Sequence, residues 1–247
     1  MSLAIQTAIV MVVLLVIMLA MGCSISVSVG LSSAAAMLCM LPAHVSFATS
    51  AQRLFAGSNS FSLIAIPFFI LAGNIMNNGG IAERLVNVAK VIAGRMPGAL
   101  AQSNVVANML FGAISGSGAA AAAAIGGTIG PMEKKEGYDP IYSSAVNIVS
   151  APTGMLIPPS NLMIVYSTIA GSVSVAALFM GGYLPGILWG VIVMILAGVA
   201  AKKRGYVAAE KIPMRMKIKV ILDALPSLLL IVIIIGGIML GVFTATE

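Results

Sequence analysis

The chain has 247 residues, 60% hydrophobic and 8% charged, with 13 Lys and Arg against 7 Asp and Glu and a formal net charge of +6. Soluble domains carry about 25% charged residues, so this composition excludes a water-facing globular surface and predicts an all-α integral membrane protein. Two cysteines and one histidine are too few for a metal centre, and the basic excess lacks the interleaved aromatics of a nucleic-acid-binding face.

Apolar runs fall at 3–22, 24–42, 61–77, 98–132, 142–169, 174–201 and 220–243. About 20 residues cross the hydrocarbon core, which predicts about six transmembrane helices plus two irregular elements. Residues 3–22 have no preceding basic residue and are long enough to span, so they read as a first span rather than a cleaved signal. Cys23 and Cys39 lie in apolar runs and read as buried structural thiols; His44 sits at a membrane end. The stretch 79–96 sets Glu83, Arg84, Lys90 and Arg95 against Ile81, Leu85, Val88 and Ile92, the pattern of an amphipathic helix lying in the cytoplasmic interface. The chain thus divides into spans at 1–60, a span with the amphipathic helix at 61–96, a central region at 97–201, and a basic linker followed by a further span at 202–247.

The basic residues order the topology. If 98–132 enters and leaves on one side, 12 of the 13 Lys and Arg fall inside and only Arg53 outside. A single crossing there would place the seven basic residues of 202–219 outside. At about 52 Å as a straight helix, 98–132 is too long for one span and too short for two. A re-entrant hairpin is predicted, with arms at Asn104–Ile114 and Ala119–Thr128 and Ser115, Gly116, Ser117 and Gly118 at its tip. Such a tip is tolerated only where protein or a water-filled cavity surrounds it. Its carbonyls and two hydroxyls are hard oxygen ligands, although Gly and Ser in membrane helices also simply permit close packing. Beyond it, Glu133, Glu136 and Asp139 alternate with Lys134 and Lys135 and read as a solvated cap.

Within 142–169, "PTGMLIPP" predicts unwinding near Gly154–Pro159, because two adjacent prolines remove two donors and disrupt the preceding turn. Two breaks at membrane depth, if they face each other, form a cage of oxygens for a small cation.

The segments "IPFFILAGNIMNNGGIAERL" (66–85), "PGALAQSNVVANMLFGAISGSGAAAAAAIGGTIGPMEKKEGYD" (97–139) and "GMLIPPSNLMIVY" (154–166) resemble the large membrane subunit of tripartite ATP-independent periplasmic (TRAP) transporters, in its N-terminal half. The resemblance implies an elevator-type, sodium-driven importer in the bacterial inner membrane. It implies a small membrane subunit and a periplasmic substrate-binding protein as partners, and a small carboxylate such as a C4-dicarboxylate or sialic acid as substrate. It assigns Na+ to Ser115, Ser117, Gly154, Ile157 and Pro159, and a neighbouring substrate cavity to Asn74, Gly116, Gly118 and Thr153. It also implies a second inverted half, with its own tip and break, which this segment lacks; alone, the segment is not expected to transport. The competing expectations are a non-transporting assembly subunit, a channel, and another sodium-coupled elevator carrier. The lack of a histidine near Ser115 and Ser117 argues against an intramembrane enzyme.

Overall fold

The computed structural model describes residues 3–59, 61–171, 173–206 and 213–244, with the side chains of 61, 62 and 69 left aside. The described residues are helical throughout and fall into two compact units, Met1–Ser60 and Phe61–Glu247.

The first unit holds α1 (Leu3–Ala20), α2 (Ile25–Leu38) and α3 (Ala43–Ser58). α1 pairs with α2 across a tight turn at Gly22 and buries no residue. α2 turns Ser28, Ser32 and Ala36 inward, a ridge of small residues at four-residue spacing that lets helices approach closely. The two thiols are free; Cys39 is exposed and Cys23 half-buried, against the expectation of buried structural cysteines. Both lie just outside helix ends, where the pairing of α1 and α2 does not cover them. The run 24–42 also yields less helix than expected. α2 has 14 residues, about 21 Å, because Pro42 fixes a new N-terminus for α3.

The second unit begins with one turn of 3-10 helix (Phe61–Ile64) and α4 (Ala65–Asn78), followed by α5 (Ile81–Ala93). α5 is amphipathic as predicted, but its apolar face rests on protein. Ala82, Leu85, Val86, Val88, Ala89 and Ala93 are buried, while Ile92, assigned to the same face, is 61% exposed. The buried face is rotated around the helix from the Ile81–Leu85–Val88–Ile92 stripe toward Ala82, Val86, Ala89 and Ala93, so small residues rather than Ile92 meet the neighbouring helices.

The hairpin consists of α6 (Ala99–Ser115) and α7 (Gly118–Lys135). Its arms are about 26 and 27 Å long, longer than the half-length arms expected. α6 is the centre of the unit: α5, α7, the first two elements of the broken helix and α11 (Val175–Lys203) all pack on it. The broken element comprises α8 (Pro140–Ser150), a single turn α9 (Thr153–Leu156) and α10 (Asn161–Ala170), bent by 49° at the break. α12 (Met214–Met239) follows the basic linker, of which residues 207–212, with Lys211, lie outside the description.

Among the described residues, three helices are long and apolar enough to cross a membrane, α1, α11 and α12; the bent α8–α10 element makes a fourth if taken as one span. The expectation of about six is not reproduced by helix length, because the runs at 24–42 and 61–77 yield helices of 14 residues each.

Candidate functional site

The hairpin tip is short because its sequence ends one helix and starts another within two residues. Gly116 takes φ 62°, the left-handed conformation that terminates helices, and its N–H returns to the Gly112 carbonyl at 2.8 Å. Ser117 is extended and its hydroxyl accepts from the Ala120 N–H at 3.3 Å, the N-cap of α7. The Ser115 hydroxyl sits inside this turn, 3.3 Å from the Ser117 carbonyl and 3.4 Å from the Ser117 N–H.

The second break meets this tip. Ile157, Pro158, Pro159 and Ser160 are all buried, and the Ser160 hydroxyl caps α10 by accepting from the Met163 N–H at 3.4 Å. Asn161, the first residue of α10, donates its backbone N–H to the Gly116 carbonyl at 3.2 Å. The carbonyl end of α6 therefore meets the amide end of α10, and unpaired groups at two helix termini satisfy one another. The Asn161 side-chain amide reaches the Ser115 carbonyl at 3.5 Å, and its Oδ1 is buried without a partner. The Pro159 carbonyl lies beside Gly116, 3.2 Å from where a Cβ on that glycine would stand.

The assigned residues divide by what they touch. Ser115, Gly116 and Pro159 gather beside Asn161, whereas Ser117 touches the Ser115 hydroxyl and the Ala120 N–H. Gly154 lies one turn away in a backbone crossing with Gly112: a Cβ on either glycine would fall within 2.4 Å of the other's Cα. The Thr153 hydroxyl is spent on the Ser150 carbonyl at 2.6 Å, and Ile157 caps the end of α9. Gly118 packs against the Ala151 carbonyl and Met155. Asn74 is exposed; it is Gly73, one residue earlier, that is buried against Ser115.

Three features escaped the sequence reading. Asn161 is one, although it directly follows the double proline and Ser160. A second is the ridge Gly182, Gly186 and Gly190 on α11. Cβ atoms there would strike the Leu156 carbonyl, Ile157 and Met109, so α11 presses against the break on the strength of missing side chains. Its four-residue spacing is visible in the sequence. The third is a polar knot inside the hairpin. Asn108 Nδ2 lies 2.9 Å from Ser150 Oγ and 3.0 Å from Asn147 Oδ1, while Asn147 donates to the Ala122 carbonyl at 2.9 Å, tying α6, α7 and α8 together.

At the far end of α7, Glu133 corrects the expectation of a solvated cap. It is 1% exposed, and burial raises its pKa; the Ser143 hydroxyl pulls the other way and Glu136 adds to the rise. The carboxyl is on the inward face of α7, whereas Lys134, Lys135 and Glu136 are exposed. Asp139 caps α8 and pairs with Arg204 at 2.6 Å, while Tyr206 accepts from the Asp139 N–H at 2.8 Å.

A buried polar tip, a broken helix and several long apolar helices define a multi-pass membrane protein with polar backbone and side-chain groups in its interior. Comparison with known families makes this specific. Residues 12–247 match the family model described as "Tripartite ATP-independent periplasmic transporter, DctM component", and the chain belongs to that family, one of transport components rather than enzymes. It is 54% identical over 226 residues to an uncharacterized Salmonella typhimurium protein, YgiK, covering 92% of this chain and 52% of that protein. It is 36% identical to the C4-dicarboxylate TRAP transporter large permease protein DctM of Rhodobacter capsulatus, covering 98% and 58%. It is 39% identical to the sialic acid TRAP transporter large permease protein SiaM of Vibrio cholerae, covering 80% and 46%. The chain thus spans about half the length of these curated relatives.

Proposed function

We propose that this chain supplies one half of the moving machinery of a sodium-coupled importer of a small carboxylate. It would work in the inner membrane with a small membrane subunit and a periplasmic binding protein that delivers the substrate. The observation that carries this reading is the junction at Asn161, where a buried, unpartnered side-chain oxygen stands beside the carbonyls of the hairpin tip and of Pro159. The donor set fits an alkali cation, which takes neutral oxygens and needs no carboxylate. Ser115, Asn161 and the carbonyls at Gly116 and Pro159 would hold the ion, with Ser117 fixing the turn as the N-cap of α7. Gly154 sets the distance between the two breaks, and Ile157 ends the turn before the prolines. An ion there would tie the tip to the break beside the Asn161 hydrogen bonds and the packing of Gly112 on Gly154 and Gly118 on Met155, and so order the wall of a neighbouring carboxylate site.

No Arg or Lys is described within the hairpin tip or the break, so this half offers amides and hydroxyls to a carboxylate. The C4-dicarboxylate and sialic acid relatives both carry carboxylates, and the proposal goes no finer than that class.

The test uses the full natural chain in detergent, melted in NaCl and in KCl at equal ionic strength, with Asn161→Ala and Ser115→Ala beside it. A ligand that binds only the folded state raises stability by RT ln(1 + [L]/Kd), about 2.7 kcal/mol at a hundredfold excess. A sodium-specific rise that disappears in Asn161→Ala supports the reading. Equal melting in both salts sinks it and favours a packing or assembly role.

A further inference from the structure

We propose a second binding site, at the opposite end of the hairpin, for the phosphate headgroup of an anionic phospholipid. A cavity of about 140 Å³ lies where the end of α5, the start of α6 and the start of α12 meet. Lys90 and Arg95, from the end of α5 and the turn after it, and Lys217 of α12 line it, with Glu136 the one acidic residue among the lining. Its charge is therefore positive, and its size is that of a few water molecules, which suits a phosphate group.

The cations are poorly served by the protein. Lys90 is half-buried and its ammonium reaches only the Met132 sulfur, at 3.3 Å. Among the described residues no carboxylate lies within ion-pair distance of Lys90, Arg95 or Lys217; the one ion pair is Arg204 with Asp139. Burial lowers the Lys90 pKa, with Glu136 and Glu83 acting against the shift from beyond contact range. Lys217 stands in the first turn of α12, which contains no acidic residue, so its charge repels the positive end of the helix dipole. The first turn of α6, facing the same cavity through Ala99 and Leu100, has neither an acidic residue nor a side-chain cap. Each of these groups is improved by one anion in the same space.

A lipid is favoured over a free anion by what adjoins the cavity. α12 is one of the three helices apolar enough to span, and on the face of Lys217, one and two turns beyond it, Ile221 and Leu225 are exposed by 43% and 42%. These residues repeat every four positions, forming an apolar ridge on which an acyl chain can lie while its headgroup sits among the cations.

The experiment melts the full natural chain, stripped of lipid, against dioctanoyl phosphatidylglycerol, dioctanoyl phosphatidylcholine and inorganic phosphate, all in KCl so that any sodium effect stays out. The expected result is a saturable rise in Tm with phosphatidylglycerol alone. Lys90→Gln, Arg95→Gln and Lys217→Gln should each weaken the half-saturation concentration about five-fold, the usual worth of one basic residue at an anionic surface. Lys202→Gln/Lys203→Gln, which removes two exposed charges outside the cavity, should leave the response unchanged. Should Lys90→Gln fail to fold, Arg95→Gln and Lys217→Gln decide the matter. The proposal is overturned by an equal response to phosphatidylcholine, by inorganic phosphate reproducing the rise, by cavity variants that respond as the wild type, or by an equal loss in the Lys202/Lys203 variant.

Discussion

α1 and α6 have nearly the same length and opposite surroundings. α1 is aliphatic apart from Gln6 and Thr7, and it buries none of its 18 residues. α6 carries Gln102, Ser103, Asn104, Asn108 and Ser115 and buries 14 of its 17. In a water-soluble protein the ranking would be reversed. In a bilayer, lipid is as good a partner for Leu and Val as another helix is, so apolar side chains give no reason to be inside. Polar groups do, because only protein can satisfy them at that depth. In this chain, then, the interior is marked by amides, hydroxyls and glycines, and the most hydrophobic helix is the barest.

If that contrast is right, substitutions should hurt in proportion to polarity and smallness rather than hydrophobicity. The largest effect is expected at the glycine crossing. Gly154→Ala pushes a methyl group into the backbone of Gly112, where no side chain can move aside, and should cost about 3 kcal/mol or more; thermal unfolding and the yield of monodisperse protein both report it. Asn108→Ala cuts the link between α6 and α8 and leaves Ser150 and Asn147 short of a donor, for a loss of about 2 kcal/mol in the same assay.

Glu133 supplies a pH test of the same rule. Its folded-state pKa is raised, so its favourable contribution is complete below the unfolded value near 4.3 and is lost as pH climbs through the folded value. Glu133→Gln should therefore melt above the wild type at pH 8 and converge with it near pH 4; a constant gap across that range would mean the carboxyl is not buried. The smallest effect belongs to α1. Val16 is 58% exposed, and Val16→Ala should stay within about 0.5 kcal/mol of the wild type. A loss of 2 kcal/mol there would overturn the comparison, by showing that α1 is held by apolar packing after all.

The same logic separates what the sequence disclosed from what it hid. The tip was legible because Ser-Gly-Ser-Gly interrupts an apolar run, and its two central residues form the observed turn at Gly116 and Ser117. The second break was legible because consecutive prolines cannot sit inside a helix, and Ile157–Ser160 is where the chain leaves it. Glu133 was misread because local charge alternation says nothing of which side of α7 faces α8. The outlook of α5 was misread for a related reason. Amphipathicity shows that one face is apolar, but not whether lipid or α6 will cover it. Asn161 was missed because its role depends on a residue 45 positions earlier, Gly116, which folding alone brings within 3.2 Å. The length of α2 was overestimated because a run of apolar residues does not reveal where a helix stops inside it.

The crossing of Gly112 and Gly154 has a mechanical side. Most helix contacts are cushioned by side chains that change rotamer under load, so a small displacement on one side fades before it reaches the other. Here two main chains touch with nothing between them. Such a joint has no slack to absorb motion and no rotamers to exchange. A displacement of α6 at Gly112 therefore meets the turn that precedes the prolines directly, backbone against backbone.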